Sequence, residues 1–468
     1  MAAEPIPADP SRAALALRAL RHRNFRIFTL GQSLSLIGTW MQQVAIGWLV
    51  YRLTGSAFLL GVVGFMSQGP GFVLAPFAGE FADRYSRHRI VIATQTVMMV
   101  QALLLGALVL TDNISVGWIL VLMGVLGAAS GFDIPARQSF LIEMVGDRDD
   151  LPNAIALNSS IFNAARLVGP AIAGFAIAAV GEGWVILANG ISYIFVLAGL
   201  LSMRLTPRPR QRGRGAVFRR VQEGFRYAYR FQPIRSILVL VAVVSLMAVP
   251  FSILLPVIAT DVLGGGPRTL GLLMSAMGLG ALTGALFLAS RSTVVGLGRL
   301  IVVAATLFGT ALVLLSFARS VAVALPLIAL AGFGMMTQMA SSNTVLQTLV
   351  DDDKRGRVMS LYTMAFTGTA PIGSLLIGWV AGLIGAPTAI AIGGAFTVAA
   401  GLLFGSRLPV LRGIVRPIYA RMGILPEVAR GIQAATHNTT PAGEDEDRDD
   451  DEGGPLLPPN GRVKLRDS

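Results

Sequence analysis

The sequence predicts an all-α integral membrane protein: twelve transmembrane helices in two six-helix, pseudo-repeated halves. Three observations predict it. Apolar runs long enough to cross a bilayer recur along most of the 468 residues. The cations collect on one side of those runs. A segment of the second half repeats, without gaps, a segment of the first.

Composition sets the class. The chain is 54% hydrophobic and 14% charged, with a mean hydropathy of +0.66, whereas soluble domains carry about 25% charged residues. The net charge of +12 would suggest nucleic acid in a soluble protein, but here its position matters more than its sum, and no nucleic-acid partner is expected. There are no cysteines, and His22, His88 and His437 are the only histidines. No metal site and no cofactor are therefore expected.

The elements follow in order. Residues 1–23 form a polar, Arg-rich segment without the apolar core of a cleavable leader, so the first span acts as its own insertion signal. The spans lie at about 26–50, 57–79, 90–111, 115–136, 153–180, 184–203, 235–260, 269–290, 298–318, 321–347, 358–383 and 386–406. About twenty residues suffice for some 30 Å of hydrocarbon. Between spans 2 and 3 lies "GEFADRYSRHR" (79–89), with five formal charges. After the first half (24–203) comes a basic linker, 204–234. Its "AVFRRVQEGFRYAYRF" puts Val217, Val221, Phe225, Ala228 and Tyr229 on one helical face. That face fits either a helix lying on the anionic inner leaflet or a solvated linker. The second half (235–407) precedes a tail, 408–468, whose run "GEDEDRDDDEGG" reads as disordered.

Charge sets the orientation. Thirty-four of the 38 lysines and arginines fall on one side, three (Arg52, Arg268 and Arg319) on the other, and Arg166 within a span. The positive-inside rule then places both termini and the 79–89 loop in the cytoplasm, in an inner (plasma) membrane. The repeat aligns residues 145–174 with 349–378 at a constant offset of 204, pairing Asp147 with Asp351, Gly169 with Gly373 and Gly174 with Gly378. Two halves of like orientation put a site at their interface near mid-membrane.

Several motifs carry a resemblance. Gly79, Ala82, Asp83, Arg84, Arg87 and His88 match the loop signature of the major facilitator superfamily of secondary transporters, with Phe81 and Ser86 departing from its usual leucine and second glycine. "LRHRNFRIFTLGQSLSLIGTWMQQVAIGWLVYRLTGSA", "DIPARQ" (133–138), "NAIALNSSIFNAARLVGPAIAG" (153–174) and "RGRVMSLY" (355–362) resemble the branch containing the enterobactin exporter and macrolide-efflux proteins. Over residues 20–407, the resemblance implies the major facilitator fold. It also implies efflux of amphiphilic small molecules, drug or siderophore, by alternating access with the proton as coupling ion, the chain acting as a monomer. A lipid-like substrate, or import, is the alternative on the same fold. An enzyme or sensor is not expected: no nucleophile–base set, Walker loop or CxxC is present.

Site candidates follow. The resemblance implies that Asp83 meets Arg137 and the helix beginning near Gly356 when the cytoplasmic gate is shut. Gly79, Arg84 and Arg87 complete that gating set, although the arginines are also explained by topology. For coupling, no carboxylate stands at the centre of a span. Asp133, near the inner end of span 4, leads, with Asp261 behind it. Arg166 is a cation in an apolar span and defaults to a functional role, with Asp133 a candidate partner and Arg137 its competitor; the alternative is that it snorkels or binds backbone carbonyls. Gly169, Pro170 and Gly174 resemble an antiporter motif that fits a kink and close packing. Two polar stripes, Gln32, Ser35, Thr39 and Gln42 in span 1 and Thr337, Ser341 and Thr344 in span 10, avoid lipid. They face either a substrate cavity or neighbouring helices.

Overall fold

A computed structural model describes residues 17–146, 149–203, 225–291 and 293–421. The described residues are helical apart from short turns. A 3-10 turn (Arg18–Arg21) precedes α1 (Arg23–Thr54), α2 (Ala57–Arg84), α3 (Arg87–Leu110), α4 (Val116–Val145), α5 (Leu151–Val180) and α6 (Glu182–Leu201). Residues 225–230 are helical and lead to α7, which continues through 3-10 and π turns (Gln232–Val262). Then come α8 (Pro267–Ala289), α9 (Leu297–Leu315) and α10 (Val321–Leu349). α11 runs as Asp352–Thr363, a π turn Met364–Gly368 and Thr369–Ile384, and α12 spans Ala386–Arg421. The last helix thus continues fourteen residues past the expected end of the second half. Gly79, Glu80, Ala82, Asp83 and Arg84 lie on α2, but their side chains fall outside the described residues, as does most of the linker and the acidic tail.

Among the described residues, eleven helices are long and apolar enough to cross a membrane. α1 is 32 residues long, about 48 Å at 1.5 Å per residue, ample for a crossing. Its hydropathy is lowered by the polar stripe that the sequence singles out.

The helix ends have local causes. Ser56 and Ser115 accept from the amides of Leu59 (3.3 Å) and Trp118 (3.4 Å), capping α2 and α4. Gly55, at φ 58°, ends α1 in the left-handed region. Pro250 and Pro256 lack the amide that a continuous α7 needs; Pro250 lies in its 3-10 turn, Val249–Leu254, and Pro256 in the short helical stretch that follows.

α1 to α6 pack on one another through α1–α5, α1–α6, α2–α4, α3–α4 and α3–α6; α7, α8, α9, α10 and α11 pack through α8–α10, α9–α10 and α7–α11. Two crossings join these bundles, α5 on α8 and α2 on α11. Without a hydrophobic drive between helices in lipid, small residues govern how near the backbones come. A Cβ on Gly174 would meet Gly271 Cα and the Pro267 carbonyl at 2.9 Å, and one on Gly378 would meet Gly61 Cα at 2.8 Å and the Ala57 carbonyl at 3.0 Å. Gly271 faces the Pro170 carbonyl as Gly61 faces that of Ser374. The offset of 204 carries Pro170 and Gly174 onto Ser374 and Gly378. The sequence repeat is therefore also a repeat of contacts. Both crossings lie toward the face carrying the 55–56 and 181 turns, here the far face; the near face carries the start of α1.

On the near face, the 3-10 turn is pinned to the start of α5. The Ala19 amide donates to Asn153 Oδ1 (2.9 Å), Arg18 pairs with Asp150, and His22 Nε2 lies 2.8 Å from Asp150. The His22 hydrogen bond, and then the Arg18 charge, hold the Asp150 carboxyl below its ordinary range against the cost of burial.

Candidate functional site

Between the bundles lies a cavity of about 370 Å³. The first bundle contributes Thr39, Trp40, Gln42 and Gln43 of α1, Ser67 and Gln68 of α2, Met123 and Leu126 of α4, and Asn189 and Tyr193 of α6. The second contributes Ser252, Ile253 and Pro256 of α7 and Leu270 and Met274 of α8. The lining mixes uncharged polar groups with apolar surface. None of the described lining residues carries a formal charge. Such a surface suits an amphiphile held by burial and a few oriented hydrogen bonds.

Its polar floor is ordered. Asn189 Nδ2 donates to Gln42 Oε1 (2.6 Å), Gln42 Nε2 to Gln101 Oε1 (3.4 Å), and the Ser192 hydroxyl to the Asn189 carbonyl (2.7 Å). Gly38 makes room, since a Cβ there would lie 2.5 Å from Asn189 Oδ1.

The polar stripe of α1 divides. Thr39 and Gln42 line the cavity, whereas Gln32 and Ser35 are buried in the first bundle and do not. The α10 stripe lies outside the cavity. Thr337 and Ser341 are fully buried, and Thr337 faces the Gly284 backbone of α8. Thr344 bonds the Ala340 carbonyl of its own helix (2.9 Å).

Asp133 is 2% exposed. Its Oδ1 accepts from Thr94 (2.9 Å) and Gln95 (3.0 Å) of α3, and its Oδ2 from Arg137 Nε (3.1 Å) one turn along α4. Arg137 therefore takes the carboxylate for which Arg166 is the competing cation. Arg166 instead stands 5.7 Å from the centre of the Trp40 ring, and its buried Nε has no hydrogen-bond partner. Trp40 also packs edge-on against Phe162 (5.8 Å) and touches α5 at Gly169, where a Cβ would come within 2.6 Å of Trp40 Cβ. Gly169, Pro170 and Gly174 are all buried. Gly169 serves the α1–α5 contact, and Gly174 the α5–α8 crossing.

Asp261, on the far side, accepts from the Tyr51 hydroxyl, a polar link between α1 and the end of α7. Beside it Arg52 Nε donates to Glu182 (2.8 Å). On the near face Arg87 pairs with Glu143 (3.0 Å), and Gly356 has open space around it.

Sequence reasoning did not mark Asn189, Tyr193, Ser67, Gln68 or Ser252 as lining residues, nor Thr94 and Gln95 as partners of Asp133. Each is a polar residue, or a close pair, in an otherwise apolar span, without the three- to four-residue recurrence that makes a stripe visible.

The transmembrane secretion effector family matches residues 14–415. The staphyloferrin A transporter of Staphylococcus aureus is 26% identical over 382 residues, covering 81% of this chain and 95% of that one. The multidrug efflux pump Tap of Mycolicibacterium fortuitum is 27% identical over 73% of this chain and 85% of its own. The enterobactin exporter EntS of Citrobacter koseri is 25% identical over 85% and 94%. In structure, a bacterial homologue of the human lysosomal transporter Spinster, inward-facing and unoccupied, superposes with a TM-score of 0.61 over 82% of this chain and 95% of that chain, at 16% identity. It shares the fold.

Proposed function

This chain belongs to the transmembrane secretion effector family of the major facilitator superfamily, and from that premise we propose that it exports an amphiphilic small molecule from the cytoplasm by alternating access, energised by proton entry. The observation that carries the reading is the uncharged, part-polar cavity lined by helices of both bundles. A site at that interface is exposed to one face and then the other as the bundles rock. The relatives, named for transport of siderophores and efflux of drugs, support the direction and the substrate class. The charge asymmetry supports assigning the near face to the cytoplasm.

In this cycle the glycine crossings and the Tyr51–Asp261 hydrogen bond close the outer side. Asp83, with Arg137 and the α11 start near Gly356, closes the inner side in the opposite state. Asp133 couples them. Ionised, it holds Arg137; on taking a proton, it releases Arg137 toward the gate. A ligand or proton shifts such an equilibrium only by binding the two states unequally, and Arg137 changing partner supplies the inequality.

The test compares a deletion strain with one expressing the protein, loaded with amphiphilic dyes and with endogenous siderophore. Expression is expected to lower retention several-fold, and a protonophore to abolish that difference. Equal retention with and without the protein overturns export. Export insensitive to the protonophore overturns the proton assignment alone.

A further inference from the structure

Among the described residues Arg166 has no ion pair. A cation placed in a membrane helix is costly, and such residues normally pair. Here five described carboxylates in or beside the spans are engaged elsewhere. Asp133 holds Arg137, Thr94 and Gln95; Glu143 holds Arg87; Glu182 holds Arg52; Asp261 holds Tyr51; and Asp150 holds Arg18 and His22. Arg166 stands over the face of Trp40, with its Nε buried and, among the described residues, unbonded. Trp40 is itself a wall of the cavity.

We infer that Arg166 and Trp40 form a subsite at the cavity edge for one anionic oxygen group, a carboxylate or phenolate, on a substrate whose apolar or aromatic body lies against Trp40 and the uncharged lining. The inference rests on the export reading and narrows its substrate class. A guanidinium with a free donor binds an oxyanion strongly away from water, and its cation–π contact with the indole holds it toward the ring. The same lining offers no described carboxylate to an organic cation, which would lose its hydration and gain Arg166 as a like-charged neighbour. A neutral congener keeps the burial and loses only the ion pair. The preference order is therefore monoanion, neutral, cation.

The experiment uses full-length protein in nanodiscs and three probes on one alkylnaphthalene scaffold: the carboxylate, its methyl ester and the trimethylammonium analogue. Wild type is expected to bind the carboxylate about tenfold more tightly than the ester, as for one hydrogen bond to a charged group, and the ammonium probe least. Arg166→Ala removes the carboxylate advantage, Arg166→Lys retains part of it, and Trp40→Ala weakens carboxylate and ester together. Melting temperatures identify variants that fold; if Arg166→Ala does not, Arg166→Gln takes its place. Equal binding of carboxylate and ester by wild type overturns the subsite, as does an equal loss of both in Arg166→Ala. Export of the ester by cells is measured separately, so failure of the export reading is seen independently of the carboxylate preference.

Discussion

Asp133 is held by two neutral donors and one cation, all on α3 and α4. Hydrogen bonds to a charged group contribute about 1.5 to 3 kcal/mol each, and on the proposed cycle a proton arriving at Asp133 loosens Arg137. On the proposed cycle, Asp133→Asn imitates the protonated state permanently. Substrate-gradient-driven exchange is expected to survive in proteoliposomes, while efflux driven by a pH gradient falls at least tenfold. Full gradient-driven efflux in that variant removes Asp133 from coupling. The sequence left Asp133 between two arginines. Helical spacing explains the choice: Arg137 stands four residues on, on the same face, whereas Arg166 must reach from another helix and is diverted by Trp40. What periodicity could not reveal was that α3 would supply Thr94 and Gln95, because a polar pair inside an apolar span carries no direction of its own.

The crossings of α5 on α8 and α2 on α11 are set by glycine, and their geometry makes a prediction about state. Overpacking a tight contact costs about 1 to 3 kcal/mol, here relieved by parting the two bundles on the far side. Gly174→Leu and Gly378→Leu are therefore expected to shift the population toward the outward-open state. The chain has no cysteine, so Ser252→Cys in the cavity makes a clean reporter. An impermeant thiol reagent outside the cell should label it several-fold faster in either leucine variant than in the parent. Unchanged labelling in both would show that these crossings do not gate the far face. At this scale the sequence was legible in part. The offset of 204 aligned Gly174 with Gly378 and so anticipated equivalent roles, but their partners Gly271 and Gly61 lay outside the aligned segment. The polar stripes show the other limit. Avoidance of lipid reveals that a face meets protein or a cavity, not which. Thr39 and Gln42 meet the cavity, whereas Gln32, Ser35, Thr337 and Ser341 meet protein.

For the whole molecule, the fold was legible because bilayer physics leaves few choices. Apolar length dictates helices, and each helix must bury its polar groups against another. The proposed substrate preference was not legible, since it depends on which side chains from six helices converge on one volume and on Arg166 of α5 standing beside Trp40 without an ion pair among the described residues. Those two facts combine into a prediction about voltage. If one proton enters for each molecule exported, a neutral substrate moves one charge per cycle. A monoanion leaving as the proton enters moves two. Each charge is worth about 2.3 kcal/mol per 100 mV, so an interior-negative potential should drive the carboxylate probe twice as strongly, per millivolt, as its ester. With potassium diffusion potentials imposed on proteoliposomes at zero pH gradient, the logarithm of the steady-state concentration ratio should rise with voltage along two lines whose slopes stand at two to one. Equal slopes would mean that the anion travels with a compensating proton. Arg166 would then bind a charge that is neutralised before translocation.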